Sequence, residues 1–177
     1  MVQMRQALRA RSERGDRLSE PRTFEDFFAE ERNRLLRALF LVTGNAQEAE
    51  EIMQDAFLEV WERWDRVSAM ESAVGYLFRT ALNRHRSGVR RALRAARRVI
   101  RSAEGGDDFA RADERDALAR ALANLPSRQR AAIVLTELLG YEAKTAAAML
   151  GVRDVTVRSL ASRARAGLRK ELEENDG

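Results

Sequence analysis

Apolar side chains recur three and four residues apart along most of this chain, and that spacing predicts helices. Phe24, Phe27 and Phe28, then Leu35, Leu36, Leu39 and Phe40, form one run that Gly44-Asn45 stops. A second helix is predicted from about Ala46 to Trp64, with Ala49, Ile52, Met53, Ala56, Phe57, Val60 and Trp64 on its inner stripe. Its opposite side carries Glu51, Gln54, Asp55, Leu58 and Glu62, an acidic surface with one apolar side chain in it, which suits a partner. A link from Asp65 to Gly75 leads to a third long helix, from about Tyr76 into the nineties, where Leu77, Phe78, Ala81 and Leu82 are apolar.

The pattern lapses twice. Residues 1–23 are Arg-rich, contain Gly15 and Pro21 and lack an apolar stripe, so they read as a disordered arm. Further on, eight arginines and no acid stand between Arg84 and Arg101, and then the charge sign reverses. Glu104, Asp107, Asp108, Asp113, Glu114 and Asp116 surround Gly105-Gly106. Composition, charge and periodicity change together there, which predicts a flexible linker over 99–112 between two small helical domains, 24–98 and 113–177. The fold class is all-α.

The second domain begins with a helix from Asp113 to Ala123, and Pro126 suits the first turn of the next, which runs to about Leu139 before Gly140. Glu142 to Leu150 forms a short alanine-rich helix, Gly151 supplies a left-handed turn residue, and Asp154 or Thr156 caps a helix running to about Leu172. This is helix, tight turn, helix. Ala146, Ala147 and Ala148 let the two helices cross closely, Val152 and Val157 fill the angle, and Arg158, Ser159, Ser162, Arg163 and Arg165 point outward. Such a face fits DNA, since arginine bonds guanine edges bidentately and serine bonds bases or phosphates. An ordinary helical hairpin with a solvated basic face carries the same pattern.

Composition narrows the chemistry. The helix formers Ala, Leu, Arg and Glu dominate, with only two prolines. No cysteine and one histidine, His85, exclude disulfides, thiolate metal sites and the usual histidine-based triads, so neither an enzyme nor a metal or other cofactor is expected. No window approaches a membrane span, which points to a cytoplasmic protein.

In both halves, and in order, the residues resemble the extracytoplasmic-function (group IV) sigma factors of the sigma-70 family. The first half carries Gln54-Asp55-Ala56-Phe57 with Trp61, and Tyr76-Leu77-Phe78-Arg79 with Asn83. The second carries Leu125-Pro126-Ser127-Arg128-Gln129-Arg130, the Leu150-Gly151-Val152 turn, and Thr156-Val157-Arg158-Ser159 continuing to Arg163-Ala164-Arg165. The resemblance covers about Phe24 to Leu172.

It implies a transcription initiation factor whose partners are core RNA polymerase and promoter DNA. Gln54, Asp55, Leu58 and Glu62 resemble the surface that docks on the clamp helices of the largest subunit, and the second domain meets the flap of the second-largest. The stretch Val67 to Asn83 resembles the minus-ten reader, where a flipped base would meet Val67, Phe78 and Asn83, with Arg79, Arg86, Arg90 and Arg91 on phosphates. Thr156, Arg158, Ser159 and Arg163 resemble the minus-thirty-five reader, with Arg165 on phosphate. Members are commonly held by an anti-sigma protein gripping both domains. This sequence departs from the pattern with Val67 where an aromatic is frequent, Ala146 where a branched apolar residue is usual, and Ser87 where an acid is frequent. The rival reading is an autonomous helix-turn-helix regulator that binds a palindromic operator as a dimer.

Overall fold

Why the chain breaks where it does is visible at its caps. In the computed structural model, which describes residues 22–98 and 115–175, the described elements are all helical. Helix α1 (Phe24–Thr43) starts where Thr23 Oγ1 accepts the Asp26 N–H at 3.2 Å, with Glu25 and Asp26 at the positive end of the helix dipole. Gly44, at φ 76°, ends it by donating its N–H to the Phe40 carbonyl. Asn45 Oδ1 then accepts the Glu48 N–H at 2.8 Å and opens α2 (Ala46–Trp61).

Two helices follow, the short α3 (Trp64–Ser68) and the long α4 (Ala73–Arg98). The first core is aromatic at one end: Phe28 meets the Phe57 ring at 4.8 Å between centroids, and Phe27 meets Trp64 at 5.2 Å. Leu35, Leu39, Val60, Val67 and Leu77 fill the rest and are almost wholly shielded.

The second half contains α5 (Arg115–Ala123), α6 (Ser127–Ile133), a π-helical turn (Val134–Leu138), α7 (Ala143–Leu150) and α8 (Asp154–Asn175). Arg130 ties α5 to α6 by donating to the carbonyls of Ala123 and Leu125, both at 3.1 Å, which satisfies acceptors that a helix end leaves free. In the π turn the Leu139 N–H reaches back five residues to the Val134 carbonyl. Gly151, at φ 62°, bonds its N–H to the Ala147 carbonyl and turns the chain into α8, whose Val157, Ala161 and Ala164 are buried. A Cβ at Gly167 would come within 2.8 Å of Leu125, so α8 packs closely on the α5–α6 corner.

The two halves are in contact: α4 packs on α7, while α1 packs on α5, α6 and the π turn. Their buried apolar side chains form one connected cluster.

Several expected boundaries move. The second helix ends at Trp61 rather than Trp64, because Trp64 belongs to α3 and turns its ring toward Phe27. The stretch expected to link the helices is itself helical over Trp64–Ser68, and α4 begins at Ala73, where Ser72 Oγ accepts the Gly75 N–H at 2.9 Å. The arm assigned to 1–23 is too long by two residues, because Thr23 caps α1 and Arg22 pairs with Glu30 and lies over the Phe27 ring. Ala148 is exposed, so the helix crossing rests on Ala146 and Ala147. The rest of the arm and the acidic linker lie outside the described residues.

Replacing Gly151 tests the turn directly. Gly151→Ala is expected to destabilise the fold by about 1–2 kcal/mol, the cost of a Cβ in the left-handed region. Urea unfolding measures it; an unchanged midpoint would show that the turn does not need this backbone conformation.

Candidate functional site

The outer face of α2 is as open as its sequence implies. Gln54, Asp55, Leu58 and Glu62 are all exposed, and Leu58 keeps 53 % of its surface and Trp61 58 %. Together with Phe24, Phe28 and Phe57, Leu58 and Trp61 line an open groove of 470 Å³. Large apolar side chains bordered by carboxylates make this an exposed apolar patch of the kind that partners use. Trp61, Phe24 and Phe28 were absent from the expected contact set. Trp61 stands off the inner stripe of α2 and was detectable on that ground, whereas the groove wall supplied by α1 needs the tertiary packing. Asp55 is not free on this face, because Arg84 bonds Asp55 at 3.0 Å and Glu59 at 3.1 Å.

The residues expected to read the downstream element fall into three environments. Val67 and Phe78 are buried, at 0 and 1 % exposure, whereas Arg79 and Asn83 are on the surface. Asn83 borders a cleft of 510 Å³ between α2 and α4 that also carries Glu48, Glu51, Asp55 and Glu59, and its side-chain oxygen accepts from Arg86. Of Val67, Phe78 and Asn83, only Asn83 reaches the surface in this arrangement. Arg90 is exposed and donates to Ser87 at 3.2 Å, and the Arg91 side chain lies outside the described residues.

Phe78 is covered by the other half. The Tyr141 ring stands edge-on to it at 5.8 Å, and the Arg34 guanidinium lies 4.6 Å above the same ring while donating to the Leu139 carbonyl. Arg86 donates to the Leu150 carbonyl at 2.8 Å, at the turn of the helix-turn-helix. Between these, His85 joins Glu48 at 2.9 Å to Ser127 at 3.1 Å. Burial, then the charges of Arg128, Arg90 and Arg79, lower the pKa of Arg86.

This junction is not fully satisfied. The Tyr141 hydroxyl and Glu31 Oε2 are buried without a hydrogen-bond partner, and burial raises the tyrosine pKa above its ordinary value of 10. The orphaned hydroxyl costs about 1–3 kcal/mol, whereas Glu31 Oε2 keeps a long ion pair with Arg34 at 3.9 Å.

On α8, Arg158, Ser159, Arg163 and Arg165 are exposed along one side, with Thr156 half-buried at its start. Arg158 bonds Asp154 at 2.8 Å and Arg165 bonds Glu137 at 3.1 Å, while Ser159 and Arg163 make no such pair among the described residues. Exposed pairs of this kind contribute little, so a phosphate or base can replace them. Among the described residues no group of His, Asp or Glu is placed to hold a metal, and no helix is long and apolar enough to cross a membrane.

Removing the orphaned hydroxyl should help. Tyr141→Phe is expected to raise stability by about 1 kcal/mol. It should also abolish the part of the alkaline loss that begins above pH 10, where unfolded tyrosine ionises before the buried one. Equilibrium unfolding at neutral and alkaline pH checks both; a less stable variant would mean that the hydroxyl is bonded.

Family models match both halves, one described as Sigma-70 region 2 over residues 27–99 and one as Sigma-70, region 4 over 115–168. The chain is 30 % identical over 159 residues to the ECF RNA polymerase sigma factor SigM of Mycobacterium tuberculosis, covering 89 % of this chain and 79 % of that one. It is 28 % identical to the RNA polymerase sigma-E factor of Streptomyces avermitilis, over 86 % of this chain and 87 % of that one. Among solved structures, CnrH in complex with the cytosolic domain of CnrY superposes with a TM-score of 0.64 at 26 % identity, over 88 % of this chain and 91 % of that one. The Bartonella quintana sigma factor RpoE, in complex with the anti-sigma factor NepR, shares the fold with a TM-score of 0.69 at 24 % identity, over 85 and 96 % of the two chains.

Proposed function

Since the chain belongs to the extracytoplasmic-function branch of the sigma-70 family, we propose how its two halves divide the work of promoter-directed initiation. Sigma factors bind core RNA polymerase and promoter DNA and direct transcription initiation. The observation that carries the division is the presence, in one chain, of an exposed acidic and apolar face on α2 and a basic serine-containing face on α8.

The α2 face is the polymerase dock. Gln54, Asp55, Leu58 and Glu62 engage the clamp helices of the largest subunit, with Trp61 in the centre of the contact, where a large ring contributes most. The second domain meets the flap of the second-largest subunit. Arg158, Ser159 and Arg163, with Thr156, read the upstream element, and Arg165 releases Glu137 to hold a phosphate.

Downstream recognition needs the halves to separate. Phe78 lies under Tyr141 and Arg86 bonds the Leu150 carbonyl, so both reach a melted strand only when α7 withdraws from α4. Arg79 and Asn83 are already exposed, and Arg86, Arg90 and Arg91 then hold backbone phosphates. Val67 supports the loop from within, since it is wholly buried. The free chain therefore binds promoters poorly, and polymerase supplies both the separation and the spacing of the two readers. An autonomous dimeric regulator is not favoured, because the region 2 match spans the whole first half. An anti-sigma protein that grips both halves fits the closed arrangement, and the Bartonella quintana neighbour RpoE is in complex with an anti-sigma factor, NepR.

Run-off transcription from fragmented genomic DNA, with purified core polymerase and with or without the chain, tests this reading. Discrete new starts that share two upstream motifs at fixed spacing are expected. Leu58→Asp should weaken polymerase binding about tenfold or more, while Arg158→Ala should cost about 1–3 kcal/mol of discrimination at one upstream base pair. No new starts, together with a shift of a palindromic fragment by the chain alone, would sink it.

A further inference from the structure

The junction leaves one group of charges unanswered, where α4 passes α6. Arg86, Arg90 and Arg128 line a cavity of 250 Å³ together with Val89 and Ser127. Arg86 and Arg90 belong to the first half, Ser127 and Arg128 to the second, so the cavity exists only while the halves are together. Among the described residues none of the three guanidinia is paired with a carboxylate. Glu48 is engaged by His85, and Arg79 adds a further positive charge to the field at Arg86. Arg86 gives two of its five N–H donors to the Leu150 carbonyl and Asn83, and Arg90 reaches the Ser87 hydroxyl, so neither is neutralised.

Guanidinia that share one cavity repel one another, because the screening length at physiological salt is about 8 Å. A single chloride answers one of three charges. A multiply charged oxyanion answers all of them, and arginine bonds phosphate oxygens bidentately. The volume suits an anion of modest size: at about 30 Å³ per water it equals roughly eight waters. The lining has no aromatic ring and a single apolar side chain, Val89, so nothing there would stack on a base.

We propose that this cavity binds a small oligophosphate, of the pyrophosphate or triphosphate class, which bridges Arg86 and Arg90 to Arg128 and holds the two halves closed. The bound anion occupies arginines that otherwise hold promoter phosphates, so it opposes strand capture. That consequence rests on the initiation reading given above; the binding itself does not.

Titration calorimetry of the full chain with sodium tripolyphosphate, in buffer free of divalent metal, tests the site. Saturable one-to-one binding is expected, weakened at least about tenfold by Arg128→Gln and by Arg90→Gln. Arg153→Gln, at an exposed arginine outside the cavity, should leave it unchanged. Far-ultraviolet circular dichroism checks that each variant is folded. Because the chain has no cysteine, single cysteines placed on α2 and α8 carry a dye pair whose separation should fall and narrow as the anion binds.

Equal binding to Arg128→Gln, or uptake that never saturates, overturns the site. An unchanged dye separation overturns the bridging. A single-stranded oligonucleotide that competes equally well against wild type and Arg128→Gln would assign the charges to nucleic acid instead. Polymerase is absent from these measurements, so their failure leaves promoter-directed starts standing. A lack of starts alongside saturable, Arg128-dependent binding sinks only the initiation reading.

Discussion

One hydrogen bond decides which surfaces this chain shows. Arg86 on α4 donates to the Leu150 carbonyl at 2.8 Å, at the C-terminus of α7, where a helix leaves acceptors unpaired. A charge-assisted bond of this kind is worth about 1.5–3 kcal/mol, less where water reaches it, and Arg86 is only half-buried. While it caps that carbonyl, the guanidinium is held at the junction and cannot follow a strand away from α7. On the proposed reading, the closed arrangement therefore opposes strand capture at this side chain.

The junction is poised rather than tight. Against the Arg86 bond, the Arg34–Tyr141 stacking and the Phe78 contact stand two buried polar atoms without a hydrogen bond, the Tyr141 hydroxyl and Glu31 Oε2, the latter 3.9 Å from the Arg34 guanidinium. The unbonded hydroxyl alone costs about 1–3 kcal/mol, which is of the same size as the bonds that hold the halves together. A partner that prefers the open arrangement by a few kcal/mol can then shift the population. Polymerase can supply that preference if it binds both halves at a separation that the closed arrangement does not offer.

Local chemistry made much of this legible in the sequence. Gly44, Asn45 and Gly151 announce helix ends by residue type alone, and the structure uses all three as caps or turns. The exposed face of α2 follows from its period. Long-range packing was not legible. The break before Trp64 arises because its ring joins Phe27 and Phe24, partners some forty positions upstream. Phe78 is hidden by Tyr141, and no local pattern says that the second half will lie against the first. The π turn likewise leaves no mark in a three-four apolar spacing, because the Leu139 N–H shifts by one carbonyl only.

On the proposed reading, the arrangement of charge explains why two weak readers suffice. On the first half, Arg84 bonds both Asp55 and Glu59 and so marks the border between the acidic face of α2 and the arginines of α4. Without that border, the acids that line the cleft beside Asn83 would repel a strand held at Arg79, Arg86 and Arg90 as proposed. On the second half, Arg158 and Arg165 rest on Asp154 and Glu137 until a better anion arrives. Each reader alone exchanges one weak electrostatic partner for another, so its net gain is small. Once polymerase fixes the distance between them, capture of one element raises the effective concentration of the other, and selectivity comes from their product.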